Sequence, residues 1–182
     1  MSAKVRIVGG LLRGRVLTVP GGIRPTANRV RESLMSIWLP RLPGARFLDL
    51  FAGSGAIGIE AVSRGAARVV LVDSDHEVIA ELTRNCEAMV EIQSTVLLAR
   101  APEGLSGVLD ESAIFDLIFA DPPYAFADYR KLLRVSGGFL APNGSLAVEH
   151  DRRRDLPEDS DQFQLVDRRQ YGDSCLSFYE VK

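Results

Sequence analysis

The sequence predicts an α/β fold, in which a mostly parallel β-sheet is covered by helices on both faces and ends in an antiparallel hairpin. Between residues 46 and 149, short apolar runs alternate with segments of helical periodicity. This alternation is typical of buried parallel strands joined by crossover helices. Later in the chain, two strand-like runs are separated only by Tyr171-Gly172-Asp173, which is a hairpin signal. The 182 residues are enough for one well-buried unit.

Seven strands are expected in this sheet. The five parallel strands are expected at 46–50, 68–72, 95–98, 114–120 and 144–149. The two antiparallel strands are expected at 163–170 and 174–181. Helices are expected at 55–64, 75–89 and 127–135. A short helix is expected after Pro102, because proline suits the first position of a helix.

The N-terminal part of the chain has a different organisation. Strand-like runs at 5–8 and 14–19 predict a small hairpin. A helix is expected at 27–38, with Thr26 as a candidate N-cap. We therefore divide the chain into a basic N-terminal extension at 1–40 and a main domain at 41–182.

Charge is distributed unevenly along the chain. Residues 1–46 carry nine of the 22 basic residues and one acid, Glu32, so this segment has a net charge of +8 against −10 for the remainder. A basic arm on an acidic body suits a polyanionic partner, because phosphate contacts supply most of the sequence-independent affinity for nucleic acid. The residues expected to contact phosphates on the arm are Lys4, Arg6, Arg13 and Arg15.

Other function classes are disfavoured by composition. The sequence holds no apolar run long enough for a membrane span, and its first residues lack the apolar core of a signal peptide. Cys86 and Cys175 lie far apart and form no CxxC motif, which fits a reducing compartment and no structural metal. We expect a cytoplasmic protein without a metal, and nothing in the sequence demands more than a monomer.

The turn after the first parallel strand is rich in glycine. Gly53, Gly55 and Gly58 form a GxGxxG motif, and Asp73 follows Gly53 by 20 residues. This spacing matches a dinucleotide fingerprint, in which the acid binds a ribose diol. However, Asp49 stands where a pyrophosphate would lie, and its carboxylate would repel that group. A carboxylate there suits the ammonium and sulfonium groups of S-adenosylmethionine, so a methyl donor is favoured and a dehydrogenase is the weaker alternative.

A second motif follows the fourth parallel strand. Asp121-Pro122-Pro123-Tyr124 places an acid, two rigid prolines and an aromatic ring at the end of an apolar run. Each proline fixes its own φ and restricts the residue before it, so the loop is stiff. Its carboxylate and carbonyl oxygens can accept hydrogen bonds from an exocyclic amine, while the ring offers a flat surface to a planar base.

Together these segments resemble one family over nearly the whole chain, the bacterial 16S ribosomal RNA guanine-N2 methyltransferases. The glycine loop, the Asp-Pro-Pro-Tyr motif and the closing hairpin are similar to those of class I S-adenosylmethionine-dependent methyltransferases in general. The more specific segment is Arg24-Pro25-Thr26 followed by Arg29-Val30-Arg31-Glu32. The other shared segments are 6–10, 13–15 and 63–66.

The resemblance implies a role for each matched position. Asp73 would bind the ribose of S-adenosylmethionine and Ala101 would lie at its adenine, although the family often has Asp or Asn where Arg100-Ala101 stands. Arg29 and Arg31 point to different sides of a helix, so one would face RNA and the other the donor or an acid. We assign Asp49, Gly53, Ser54, Gly55, Thr26 and Arg29 to the donor, Arg24 and Arg31 to RNA, and Asp121, Pro122, Pro123 and Tyr124 to the target base.

The resemblance thus implies methyl transfer from S-adenosylmethionine to the N2 amine of a guanine in 16S rRNA or the small ribosomal subunit. Asp121 and the Pro122 carbonyl would orient the amine, Asp121 would take its proton, and Tyr124 would stack on the base. The alternatives are an adenine-N6 methyltransferase, which would use the same loop, and a non-catalytic RNA-binding assembly protein. A protein-glutamine methyltransferase is disfavoured, because those enzymes resemble this chain with Asn at position 121.

Overall fold

A seven-stranded sheet forms the centre of the computed structural model, which describes residues 3–21, 28–110, 112–159 and 162–182. The strand order is β5-β4-β3-β6-β7-β9-β8. The first five of these strands run parallel, whereas β9 is antiparallel to both β7 and β8. The strands are β3 (Arg46–Leu50), β4 (Arg68–Asp73), β5 (Ser94–Leu98), β6 (Phe115–Ala120), β7 (Leu140–Asp151), β8 (Phe163–Tyr171) and β9 (Ser174–Val181).

Helices cover both faces of this sheet. Residues of α1, α2 and α3 share one hydrophobic core with one face, and residues of α4 and α5 share another with the opposite face. The helices are α1 (Asn28–Trp38), α2 (Ala56–Ser63), α3 (His76–Glu87), α4 (Leu105–Val108) and α5 (Tyr129–Gly137). The predicted α/β fold with its antiparallel end is therefore confirmed.

Several predicted boundaries differ from the structure, and those of β7 and α4 have a clear physical reason. Strand β7 begins at Leu140 rather than at residue 144, because Leu140 already pairs with Phe115 across a register shift. Helix α4 begins at Leu105 rather than directly after Pro102, because residues 101–104 form a turn in which the Gly104 N–H donates to the Arg100 carbonyl at 2.7 Å. The sequence therefore predicted that β7 and α4 exist, but it did not predict the residues at which they begin.

The N-terminal hairpin is packed against the main sheet assembly. Strands β1 (Lys4–Arg6) and β2 (Val16–Thr18) pair in antiparallel fashion, and Ile7 and Leu17 are fully buried in the core that includes α1, α2 and α3. The turn of the hairpin lies on the end of α2, where Ser63 Oγ accepts from the Leu12 N–H at 2.8 Å. Gly10 has a φ of +75°, and a Cβ there would lie 1.7 Å from the Ser63 carbonyl oxygen. The close approach therefore requires glycine.

Helix α1 follows and holds this side of the sheet. Trp38, at its last position, is 1% exposed and contacts Phe47 of β3 and Phe178 of β9 edge-on, at centroid distances of 5.7 and 6.0 Å. A short 3-10 turn, Leu39–Arg41, then leads towards β3. Thr26, the predicted N-cap, lies outside the described residues. The proposed division at residue 40 stays a prediction.

Candidate active site at the carboxyl edge of the sheet

The glycine-rich turn between β3 and α2 has the backbone that its sequence requires. Gly53 and Gly55 have φ values of 55° and 78°, in the left-handed region that favours glycine. A Cβ on Gly58 would lie 2.6 and 2.7 Å from side-chain carbons of Leu71 and Val69 in β4. The first two glycines therefore shape the turn, and the third lets α2 pack directly on the sheet.

Asp49 lies beneath this turn, almost completely buried. It is 1% exposed, and its Oδ2 accepts from the Gly58 N–H at 2.9 Å. The pKa of Asp49 is raised from 3.8 to about 8, chiefly by burial and to a smaller extent by the nearby carboxyl groups of Asp121 and Asp73, against the lowering effect of the Gly58 hydrogen bond. Such a carboxyl group is ready to be ionised by a cation that enters the site.

Asp73, at the end of β4, is fixed by backbone hydrogen bonds. Its Oδ2 accepts from the Gly53 N–H at 3.0 Å, and its Oδ1 accepts from the N–H groups of Ser74 and Asp75 at 2.7 and 3.2 Å. Each carboxylate oxygen can accept more than one hydrogen bond, so both remain able to meet hydroxyl groups. The glycine turn and this acid are thus held in one arrangement.

Asn85 connects the turn to the N-terminal hairpin, and sequence reasoning missed it. Its Nδ2 donates to the carbonyl oxygens of Ser54 at 3.0 Å and Thr18 at 2.9 Å, while its Oδ1 accepts from the Thr18 N–H at 3.0 Å. Ser54 and Asn85 are both 6% exposed. No local motif predicts that an asparagine within α3 connects two distant segments of the chain.

The Asp121-Pro122-Pro123-Tyr124 loop follows β6 at the same edge of the sheet. The Asp121 N–H donates to the Leu50 carbonyl at 3.4 Å, and the Phe126 N–H donates to the Pro123 carbonyl at 2.7 Å. Pro122 is buried, Asp121 is half-buried, and Pro123 and Tyr124 are exposed. The tyrosine ring is 70% exposed and presents an open face to solvent.

Arg153 binds the hydroxyl group of Tyr124. Arg153 donates from Nη2 to the Tyr124 hydroxyl at 2.5 Å. Its guanidinium also binds both carboxylate oxygens of Asp151, at 2.9 Å each. The bidentate Arg153 hydrogen bonds hold the pKa of Asp151 well below its usual range. Arg153 lies 29 positions from Tyr124, so no local sequence signal indicates this hydrogen bond.

Three carboxyl groups lie on one face of the sheet at this edge. Asp49 pairs with Phe119, which pairs with Ala147, and alternation along the strands places Asp121 and Glu149 on the same face, one step further towards the edge. Glu149 is 8% exposed, and burial, together with the charge of Asp121, raises its pKa to about 8. The sequence analysis did not identify Glu149 as a site residue, because it lies inside an apolar strand pattern.

The structure does not test the roles predicted for the remaining site residues. Ala101 is 6% exposed and lies just beyond β5, where the Ala99 N–H donates to the Asp73 carbonyl at 2.9 Å. Arg29 is exposed in the first turn of α1. Thr26 and Arg24 lie outside the described residues. Ala101, Arg29, Thr26 and Arg24 therefore stay predictions.

The basic residues of the hairpin are exposed, as phosphate contacts require. Lys4 and Arg13 project from it into solvent. Arg6 donates to the Gly14 carbonyl at 2.9 Å, within the hairpin itself. Arg15 donates to the Ala88 carbonyl at 2.5 Å and lies 3.6 Å from Glu91, so its charge is partly committed to the body of the protein.

The assignment of Arg31 to RNA was wrong. Its side chain is 1% exposed, and its Nε lies 3.2 Å from Oε2 of Glu60, a residue with no exposed surface. It also donates to the Arg6 carbonyl at 2.8 Å, and Arg64 donates to the other oxygen of Glu60 at 2.6 Å. The charge of Arg31 is buried beside that of Glu60 and cannot reach a phosphate. Of the two arginines on α1, Arg31 is the one that meets an acid in the body.

The site fits a small cationic donor better than an anionic one. Asp49, Asp73, Asp121 and Glu149 lie at one edge, and burial, together with the charges of neighbouring acids, raises the pKa values of Asp49 and Glu149 and disfavours their ionised forms. A ligand bearing ammonium and sulfonium groups would relieve this repulsion, whereas a pyrophosphate would increase it.

Comparison with known proteins agrees with this geometry. A family model described as "Conserved hypothetical protein 95" matches residues 5–180. The chain belongs to this family. It is 39% identical over 150 residues to the ribosomal RNA small subunit methyltransferase D of Escherichia coli, an alignment that covers 81% of this chain and 72% of that protein.

Solved structures share the whole architecture. The E. coli protein yhhF is 32% identical, with a TM-score of 0.87 over 99% of both chains. The Thermus thermophilus 16S rRNA N2 methyltransferase RsmC, solved with AdoMet and guanosine, is 21% identical, with a TM-score of 0.76 over 100% of this chain and 50% of that one. The similarity to RsmC supports the fold alone. The predicted class I S-adenosylmethionine-dependent methyltransferase fold and the predicted family are confirmed.

Within residues 3–21, 28–110, 112–159 and 162–182, no helix is both long and apolar enough to cross a membrane. In the same part of the chain, no three His, Cys, Asp or Glu side chains are grouped so that they could hold a metal ion.

Proposed function

We propose that this protein transfers a methyl group from S-adenosylmethionine to the exocyclic N2 of a guanine in 16S rRNA. One observation carries the proposal: a buried Asp49 under a glycine turn and the Asp121-Pro122-Pro123-Tyr124 loop meet at one edge of the sheet. The family relatives named as small subunit methyltransferases support rRNA as the substrate class.

The donor would be held by the residues that the glycine turn organises. Asp49 would accept from the ammonium group, and Gly53, Ser54 and Gly55 would allow the methionine end to approach the backbone closely. Asp73, already fixed by three backbone N–H groups, would accept from the ribose hydroxyl groups. Ala101 and Arg29 are kept as candidates for contacts further along the donor.

The base loop would orient the acceptor nitrogen. When bound, S-adenosylmethionine supplies a methyl group on a sulfonium, so that a new N–C bond forms as the C–S bond breaks and a neutral thioether leaves. The exocyclic amine is a weak nucleophile, because its lone pair is delocalised into the ring. Asp121 and the Pro122 carbonyl would accept its two N–H groups and direct the lone pair, and Asp121 would receive the released proton.

RNA would bind to the exposed face of the N-terminal hairpin. Lys4, Arg6 and Arg13 are exposed there, and Arg15 lies beside them with part of its charge engaged. Phosphate contacts of this kind position the substrate without reading its sequence. Tyr124 would then stack on a guanine that has left its helix or is presented in a loop.

The test is methyl transfer from labelled S-adenosylmethionine to unmodified small-subunit RNA and to small-subunit particles, followed by mass spectrometry of the nucleosides. We expect N2-methylguanosine. N6-methyladenosine would keep the fold and overturn the proposed base. Donor binding without incorporation into either substrate would overturn the proposed acceptor and favour a scaffold role.

A further inference from the structure

Glu149 lies beside the base loop without a role in the function proposed so far. Ala120 of β6 pairs with Val148 of β7, so the next residues, Asp121 and Glu149, are neighbours across the two strands. Both lie on the sheet face that carries Asp49. The carboxyl group is therefore placed where a base held by Asp121 would present its edge.

The surroundings of Glu149 leave one of its oxygens unsatisfied. The residue is 8% exposed, and the Ser174 side chain hydrogen-bonds its carboxyl group. Its Oε2 is buried and finds no hydrogen-bond partner among the described residues. Buried polar atoms are rarely left without a partner, because desolvation without compensation is costly. An acceptor of this kind beside a proposed ligand site points to a donor on the ligand.

We propose that Glu149 accepts the N1–H of the target guanine while Asp121 and the Pro122 carbonyl hold the neighbouring N2 amine. The inference rests on the proposed function, whose base it would select. The Watson–Crick edge of guanine presents two adjacent donors, N1–H and the N2 amine, which match two adjacent carboxyl groups. Adenine presents its amine beside N1, which is an acceptor and would face a carboxylate unfavourably. Glu149 is thus a specificity-determining residue.

The electrostatics around Glu149 agree with this role. Burial, and after it the charge of Asp121, raises the pKa of Glu149, so that its ionised form is disfavoured unless a donor meets it. Two N–H donors from one base edge would stabilise both groups at once. They would favour the ionised form of Glu149, which accepts from the guanine N1–H and offers no donor to the N1 of adenine.

The test varies the base and the residue together. Small-subunit RNA is prepared with either guanine or 2-aminopurine at the methylated position, since 2-aminopurine keeps the N2 amine but has an acceptor at N1. We expect wild type to methylate the guanine RNA about 5- to 150-fold faster, the range given by 1–3 kcal/mol for one well-placed contact. Equal rates on the two RNAs would overturn the inference without any variant.

The variant arm uses Glu149→Gln, whose amide can either accept from guanine N1–H or donate to the N1 of 2-aminopurine. We expect the preference for guanine to fall to within a few-fold, mainly through a higher rate on 2-aminopurine. A folded variant with the wild-type preference, or one equally inactive on both RNAs, would contradict the role. Glu180→Gln on the adjacent β9, at a carboxyl group that pairs with Arg41, is the matched control and should leave both rates unchanged.

Failure of the inference can be separated from failure of the proposed function. If wild type forms no N2-methylguanosine, the proposed function is wrong and the comparison of bases has no meaning. If N2-methylguanosine forms but the two bases react equally, the proposed function stands and only the role of Glu149 is lost.

Discussion

The loops after β3 and β6 lie side by side at the same edge of the sheet. They differ in how deeply their residues are buried and in how many hydrogen bonds the rest of the protein makes to them. The glycine turn after β3 is buried and internally bonded, with Asp49 and Asp73 both accepting from its backbone. The loop after β6 ends in Tyr124, whose ring is 70% exposed and is tied down mainly through Arg153. The difference supports the proposal that the donor pocket is organised in advance, whereas RNA completes the base pocket.

The largest expected effect separates the two loops directly. Asp121→Ala should lower turnover by about 10²- to 10⁴-fold, the range typical for loss of a positioned acid–base group, because the amine loses its orienting acceptor. Donor binding should change little, since the glycine turn is intact. Single-turnover methylation and calorimetric donor binding measure the two effects. A variant that turns over like wild type would remove Asp121 from the mechanism.

Asp49 gives the next largest effect, and it depends on pH. A cationic donor binds best to the ionised carboxylate, so donor affinity should rise by up to about tenfold per pH unit below the pKa of about 8 and fall once the donor's ammonium group loses its proton. Asp49→Asn should bind the donor weakly, with a flatter pH profile. Equilibrium dialysis between pH 6 and 9 measures this. An unchanged pH dependence in Asp49→Asn would show that another group titrates.

The same pKa shift also predicts how the empty protein responds to pH. Asp49 ionises near 3.8 when unfolded but near 8 when folded, so between these values the folded state binds more protons. The contribution of Asp49 to the free energy of unfolding therefore falls as pH rises from about 4 to about 8. Relative to wild type, Asp49→Asn should lose less stability over this interval in urea unfolding.

Substitutions of Tyr124 test how much RNA binding by the loop after β6 depends on the aromatic ring. Tyr124→Ala should weaken RNA binding by about 1–3 kcal/mol, the usual value for loss of one base–aromatic stack, and leave donor binding intact. Tyr124→Phe keeps the ring and loses only the hydrogen bond from Arg153, so it serves as the matched control. If both variants bind RNA equally weakly, the hydroxyl tether matters and stacking does not.

The smallest effect concerns the basic hairpin. Arg13→Ala should reduce the salt slope of RNA binding by about 0.7 to 0.9, the value for one phosphate contact. Arg15→Ala should reduce it less, because Arg15 already bonds to Ala88 and lies near Glu91. Binding titrations at several salt concentrations make the comparison. If the salt slope is unchanged in both variants, these arginines do not contact phosphates and RNA binds at another surface.

Features encoded in a few consecutive residues could be predicted from the sequence. The alternating apolar runs gave the strands, and the spacing of Asp49, the glycines and Asp73 indicated one loop and its ligand chemistry. The Asp121 to Tyr124 motif is likewise contiguous, so its position after β6 followed from the strand pattern alone. In each case local backbone geometry decides where the side chain lies.

Features that join distant segments could not be predicted in this way. Arg153 reaches Tyr124 across 29 positions and Asn85 reaches Thr18 across 67, and neither link has a local signal. The spacing of Arg29 and Arg31 indicated opposite sides of α1, but only the packing of α1 on α2 shows that Arg31 meets Glu60. Glu149 was missed for a related reason, because its meaning comes from the neighbouring strand.

The anchoring of the N-terminal hairpin has a consequence for the order in which the chain becomes structured during synthesis. The hairpin is made before the helices that hold it, because its contacts are to Ser63, 51 positions after Leu12, and to Asn85, 67 positions after Thr18. Both contacts require α2 and α3, which are made later. The hairpin is therefore secured only after α3 has been translated, although it precedes both helices in the chain.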